Sequence, residues 1–170
     1  YSSAASDVYK RQFKMCPSCT KEYHAVLDRR FHAQPNACPT CGPKLFLYTI
    51  TRRPINITSS IKETIRLLRQ GKIIAIKGLG GFHIACDARN ETTVRQLRVR
   101  KNRPHKPLAI MCKSTDIGKV AYLTKPESLL LSSPQAPIIL LRKKPNKILA
   151  STIAPGNPYL GIMLPYTPLH

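Results

Sequence analysis

From residue 59 onward, short apolar runs alternate with segments whose apolar residues recur at helical spacing. Ile61, Ile65 and Leu68 stand at i, i+4 and i+7 behind Ser60-Ile61-Lys62-Glu63, a capping-box pattern, with Gly71 as a stop. The β-branched run 72–76 predicts a buried strand, and 82–88 a second one. Asn90 is placed to cap a helix through Arg100, with Val94 and Leu97 inward and Arg95, Arg98 and Arg100 outward. Residues 108–112, 137–141 and 160–164 read as further strands. Ser114 can cap a helix through Ala121, and Thr124-Lys125-Pro126-Glu127 is a second capping box with proline at a favoured early position. Cys86 and Cys112 fall within apolar strands and are expected to be buried packing residues. Strands alternating with short helices indicate an α/β (α+β) sheet.

The first part of the chain is patterned differently. Residues 1–12 lack apolar periodicity and are expected to be a non-native leader. Residues 13–48 carry four of the six cysteines, and residues 49–58 read as a linker, with Pro54-Ile55-Asn56-Ile57 entering a short edge strand. The cysteines Cys16, Cys19, Cys38 and Cys41 follow C-x2-C-x18-C-x2-C. Each pair wraps two thiolates around one ion, and Gly42 lets the backbone turn so that amides face sulfur. Four thiolates complete a tetrahedral structural Zn²⁺ site with no open position for catalysis. A redox C-x2-C and unpaired thiols are the alternatives, and His24 or His32 could in principle replace a cysteine. Tyr23 and Phe31 are expected to form the small core of this module, with Asp28-Arg29-Arg30 as a polar turn. A piece this small folds only together with its metal.

Composition adds one strong bias. The 28 Lys and Arg against 8 Asp and Glu give a net charge of +20, which implies a polyanionic partner or an acidic remainder elsewhere. The sequence holds neither an apolar stretch of about 18 residues nor a secretory signal, which makes the cytoplasm the default compartment.

Two stretches offer chemistry. In 98–109, Lys101, Arg103 and Lys106 stand at i, i+2 and i+5, interrupted by Pro104 and closed by Pro107. Proline ends the preceding helix near Asn102, leaving the cations on a stiff segment. They suit a phosphate or carboxylate, Arg as a planar fork and Lys as a point charge, unless the run is simply a solvated basic loop. Lys77-Gly78-Leu79-Gly80-Gly81 follows the first strand, but a dinucleotide fingerprint would need glycine where His83 stands. Glycines joining two strands make either a plain turn or a close approach of backbone to ligand. His83 and His105 could serve as acids or bases, though each reads first as structural.

These motifs together resemble a known family. The segment 16–43 resembles a zinc finger of HypF, the carbamoyltransferases that mature nickel–iron hydrogenases. The segments 76–88, 100–111, 133–143 and 154–170 resemble the YrdC-like domain that follows that finger, here residues 59–170. The resemblance implies a four-cysteine finger followed by a truncated, twisted mixed sheet with flanking helices. It also implies that carbamate from carbamoyl phosphate is activated by ATP, with Mg²⁺, as carbamoyl-adenylate. The carbamoyl group then passes to the C-terminal cysteine of HypE. Lys101, Arg103 and Lys106 match the K-x-R-P-x-x-K segment of YrdC relatives and become the expected catalytic residues. Lys77, Gly78, Gly80 and Gly81, with Lys101 and Arg103, become the expected nucleotide site. Relatives that make threonylcarbamoyl-adenylate for tRNA modification, a family to which double-stranded RNA binding is attached, supply one competing expectation, and the charge of +20 supplies another, an RNA-binding zinc module. The family's downstream Thr-Ser-Gly-Asn type motif would lie past His170, so the piece is expected to be inactive alone and its open sheet edge prone to aggregate.

Overall fold

The computed structural model describes residues 14–33, 36–78, 81–145 and 147–170. The expected leader 1–12 and the site candidate Gly80 lie outside the described residues. The chain divides into two units, Tyr1–Ile61 and Lys62–His170.

In the first unit, helix α1 (Pro17–His24) starts directly after Cys16, with proline in its first turn, where a missing N–H costs nothing. The polar turn forms as expected, since the Asp28 carboxylate accepts the Arg30 amide at 2.8 Å and Glu22 pairs with Arg30 at 2.7 Å. Phe31 does not join a core: it is 40% exposed. Tyr23 instead stacks on His32, with ring centroids 5.0 Å apart and ring planes nearly parallel. No edge strand forms at 54–57. A tight turn bridges Tyr48 to Pro54, because Pro54 has no N–H with which to continue a ladder.

Helix α2 (Ser60–Arg69) keeps its amphipathic pattern but buries no residue. Ser60 is its first helical residue, one position inside the expected cap, and its hydroxyl donates to the Leu45 carbonyl at 2.9 Å. Strands β1 (Ile74–Lys77) and β2 (Phe82–Ala85) form an antiparallel hairpin in which Lys77 faces Phe82. Helix α3 (Glu91–Arg100) is capped as its sequence predicts: the Asn90 side chain accepts the Thr93 amide at 3.0 Å.

Strand β3 (Ile110–Met111), helix α4 (Ser114–Val120), helix α5 (Lys125–Leu131), strand β4 (Ile139–Arg142) and strand β5 (Tyr159–Met163) complete the second unit. β5 is the middle strand of three, parallel to β3 and antiparallel to β4. Ser114 is the first residue of α4 and Lys113 occupies the cap position, whereas the box at Thr124 and Glu127 forms in full. Cys86 and Cys112 lie just past the ends of β2 and β3, half-buried against the core; burial raises both thiol pKa values.

The core gathers Val94 from α3, Ile110 from β3, Ile117 and Val120 from α4, Leu131 from α5, Leu141 from β4, and Leu160 and Ile162 from β5. Leu141 is 0% exposed, so Leu141→Ala leaves a cavity that loses about 2–5 kcal/mol of stability. Urea unfolding should show a lower midpoint at unchanged slope; an unchanged midpoint would remove Leu141 from the core.

Candidate functional site

Two places carry chemistry, one in each unit. In the first, the four sulfurs of Cys16, Cys19, Cys38 and Cys41 all lie within 4.8 Å of one another. Successive contacts are 3.6 Å between Cys16 and Cys38, 3.9 Å between Cys38 and Cys41, and 3.7 Å between Cys41 and Cys19. Soft sulfur donors crowded to this degree fit Zn²⁺. The backbone supports the anionic form unevenly. Amides of Cys41 and Thr40 hold the Cys38 thiol down at about 6, Thr40 from 3.3 Å. Burial pushes Cys19 up to about 12. Gly42 is needed here for space: a Cβ would stand 2.9 Å from the Cys38 carbonyl, which accepts the Gly42 amide at 2.7 Å. Behind the cage, Asn36 is buried, and its side-chain amide donates to the Cys19 carbonyl at 2.9 Å.

In the second unit, α3 ends at Lys101, whose amide bonds back to the Leu97 carbonyl at 3.0 Å. Asn102 turns the chain with φ +45°, and the cations follow on an irregular loop. Lys101 and Lys106 are exposed and Arg103 is half-buried. Arg103 donates from Nη2 to the Pro107 carbonyl at 3.1 Å, while its buried Nε has no protein acceptor. Among the described residues, none of these three cations pairs with a carboxylate. Ion pairs do occur elsewhere, one of which holds the neighbouring Arg95 to Glu91. The loop thus keeps positive charge and a free donor, which an oxyanion can satisfy.

Arg98 departs from expectation. It is not on the helix surface but 6% exposed, and its guanidinium donates to the carbonyls of Arg103, Pro104 and Lys106. Val94, Leu97 and Arg98 occupy i, i+3 and i+4, the inward stripe of a helix; that spacing was the available signal, and the charge concealed it. Glu91, at the other end of α3, accepts the Ser151 amide at 2.6 Å and Arg95 Nε at 2.8 Å. Arg95 first, and then Thr152 and Ser151, hold its carboxyl near 2, below the ordinary 4.5. The folded pKa is depressed, so the stability contributed by Glu91 is full above the ordinary carboxylate range and drains away as pH falls toward 2. In urea unfolding, Glu91→Gln should be less stable than the parent at about pH 7, and the gap should shrink at about pH 3. A gap that stays constant would contradict this.

The glycine turn is a hairpin joint. The Gly78 amide bonds the Gly81 carbonyl at 2.7 Å, and Gly81 has φ +146°, which favours glycine. The Lys77 ammonium sits 5.1 Å from the Phe82 ring centroid. His83 is not isolated: its Nε2 lies 3.3 Å from the Tyr166 hydroxyl, and its ring centroid is 5.7 Å from that of His170. Tyr166 and His170 were not legible as partners of His83, since 83 residues separate the first pair. His105 is exposed beside the cations. No hydrogen bond or ion pair joins the glycine turn to the basic loop among the described residues.

Comparison with known proteins places both regions. The Sua5/YciO/YrdC family, described as "Telomere recombination", matches residues 66–170, and the HypF finger matches residues 15–48. Carbamoyltransferase HypF of Rhodobacter capsulatus is 46% identical over 158 residues, covering 93% of this chain and 21% of that protein. A crystal structure of full-length HypF in the phosphate- and nucleotide-bound form superposes with TM-score 0.81 at 43% identity, over 95% of this chain and 21% of that one. The T. kodakarensis HypF structure gives TM-score 0.82 at 44% identity, over 93% and 21%. The chain therefore spans about a fifth of the length of these relatives.

Proposed function

This chain belongs to the Sua5/YciO/YrdC family, with a HypF finger ahead of that domain, and on that premise we propose that it is the ATP-using segment of a HypF carbamoyltransferase. Carbamate, derived from carbamoyl phosphate, attacks the α-phosphorus of ATP through its oxygen. The bond from that phosphorus to the bridging oxygen breaks, pyrophosphate leaves with the electron pair, and a mixed carbamoyl–phosphoryl anhydride remains on AMP. The thiol of a cysteine on the HypE acceptor then loses its proton and attacks the carbamoyl carbon, the bond from that carbon to the phosphate oxygen breaks, and AMP leaves.

The observation that supports this reading is the loop after α3, where, among the described residues, Lys101, Arg103 and Lys106 have no carboxylate partners and Arg103 Nε is buried without an acceptor. Negative charge grows on the phosphoryl oxygens and on departing pyrophosphate, and fixed donors stabilise it without having to reorganise. Arg103 presents a planar fork to the phosphoryl oxygens, while Lys101 and Lys106 act as exposed point charges along the polyphosphate. Lys77, Gly78 and Gly81 border the turn that admits the nucleotide or acyl group, and Gly80 is proposed for the same role. Mg²⁺ bound to the triphosphate would neutralise further charge. Zinc held by Cys16, Cys19, Cys38 and Cys41 shapes the finger and takes no part in the reaction.

The test is incorporation of labelled pyrophosphate into ATP by the full-length protein. Exchange that requires carbamoyl phosphate supports the proposal. Exchange that requires threonine and bicarbonate instead would move the assignment to threonylcarbamoyl-adenylate synthesis. The +20 charge supports a second reading, an RNA-binding module. It predicts RNA affinity that falls steeply with salt and is indifferent to ATP.

A further inference from the structure

Resting on the assignment of the basic loop to phosphate, we infer that Arg98 is the positioning residue that shapes this loop, acting through Arg103 without touching substrate itself. The guanidinium is buried, and no carboxylate pairs with it among the described residues. Its partners are five main-chain carbonyls. Nη1 reaches those of Arg103 at 2.8 Å, Pro104 at 3.1 Å and Lys106 at 3.1 Å. Nε reaches that of Thr152, and Nη2 that of Ile153 at 2.9 Å. Two segments far apart in sequence, the basic loop and the short 3₁₀ turn Ser151–Ile153, are thereby tied to one planar group.

The geometry has a direct consequence for Arg103. Carbonyls at 103, 104 and 106 turned toward one guanidinium fix peptide planes on the C-terminal side of Arg103. The Arg103 amide is pinned as well, to the Arg98 carbonyl at 3.0 Å. Arg103 is therefore held in place from its main chain, and its buried Nε is kept from finding a carbonyl of its own. The two guanidinium groups also repel each other, and an anion bound at Arg103 relieves that repulsion. Lysine at 98 would carry the charge but not the fork, so it could not gather five acceptors in a plane.

The test is a double-mutant cycle in the full-length protein, read as kcat/KM for carbamoyl-phosphate-dependent pyrophosphate exchange. Arg98→Lys should lower it on the order of 10²-fold, the effect of displacing a catalytic group by about 1 Å. In an Arg103→Lys background the same change should cost less than about threefold, because the two residues act as one unit. Equal factors in both backgrounds would mark Arg98 as a general structural residue and overturn the inference. If Arg103→Lys retains full exchange, the phosphate assignment falls and the inference with it. If Arg103→Lys loses exchange while Arg98→Lys does not, the inference falls alone. The unaltered protein gives a check independent of variant folding. With ¹⁵N-labelled arginine, the Arg98 Nε–H should resist deuterium exchange with or without ATP, while the Arg103 Nε–H should shift when ATP is added. An Arg98 Nε–H that exchanges like those of exposed arginines would overturn the inference.

Discussion

Stripping the metal with a chelator is expected to unfold residues 15–48 and leave the unit from Lys62 onward folded. Among the described residues of the finger, Cys19 and Asn36 are the only buried side chains, while Val26, Leu27 and Phe31 are 73%, 102% and 40% exposed. So little apolar burial cannot offset the entropy of ordering three dozen residues. The missing stabilisation must come from the ion, for which about 10–16 kcal/mol is typical of structural zinc. The second unit has its own apolar core, twelve buried residues among those described, and no need of the metal. Amide exchange followed during chelation should show α1 losing protection while β5 keeps its own. Protected α1 amides in metal-free protein would show that the thiol cage is not what holds the finger.

Arg103→Ala should lower carbamoyl-phosphate-dependent pyrophosphate exchange by about 10²–10³-fold, the usual effect of removing one preorganised donor to developing charge. Stability should change little, because the side chain is half-exposed and makes one hydrogen bond, to the Pro107 carbonyl. Arg103→Lys should recover part of the loss, since it restores charge without the fork. Lys106→Ala, at an exposed position, should cost less than Arg103→Ala. Full exchange in Arg103→Ala at an unchanged melting temperature would remove this residue from the chemistry.

The parts legible in the sequence were those governed by local rules. The Asn90 cap, the box at Thr124 and Glu127, and the paired C-x2-C spacing each involve residues within a few positions of one another, and each forms. The end of α3 ahead of Pro104 follows from the proline itself. What was not legible depended on distant partners. Strand β3 is two residues long where five apolar positions suggested more, because only Ile110 and Met111 meet β5 in register. Phe31 looked like core and is exposed, because a metal-centred module needs little apolar interior. Arg98 looked like surface and is buried, because five carbonyls, two of them more than fifty residues away, replace the water its charge would otherwise require. The three candidate cations were readable as a group; the burial of Arg98 against the carbonyls of Arg103, Pro104 and Lys106 was not.

The Arg98 contacts also set an order of assembly. Two of the carbonyls that complete the hub belong to Thr152 and Ile153, which are synthesised 54 and 55 residues after Arg98. At about 5–20 residues per second, translation inserts a delay of roughly 3–11 s between synthesis of the hub and arrival of its last partners. Through that interval the nascent chain carries an unsated guanidinium among several other cations, beside a run of RNA phosphates in the ribosome itself. Completion of the Arg98 hub thus trails synthesis of the loop, and a stall between codons 98 and 153 would prolong exposure of the unfinished loop.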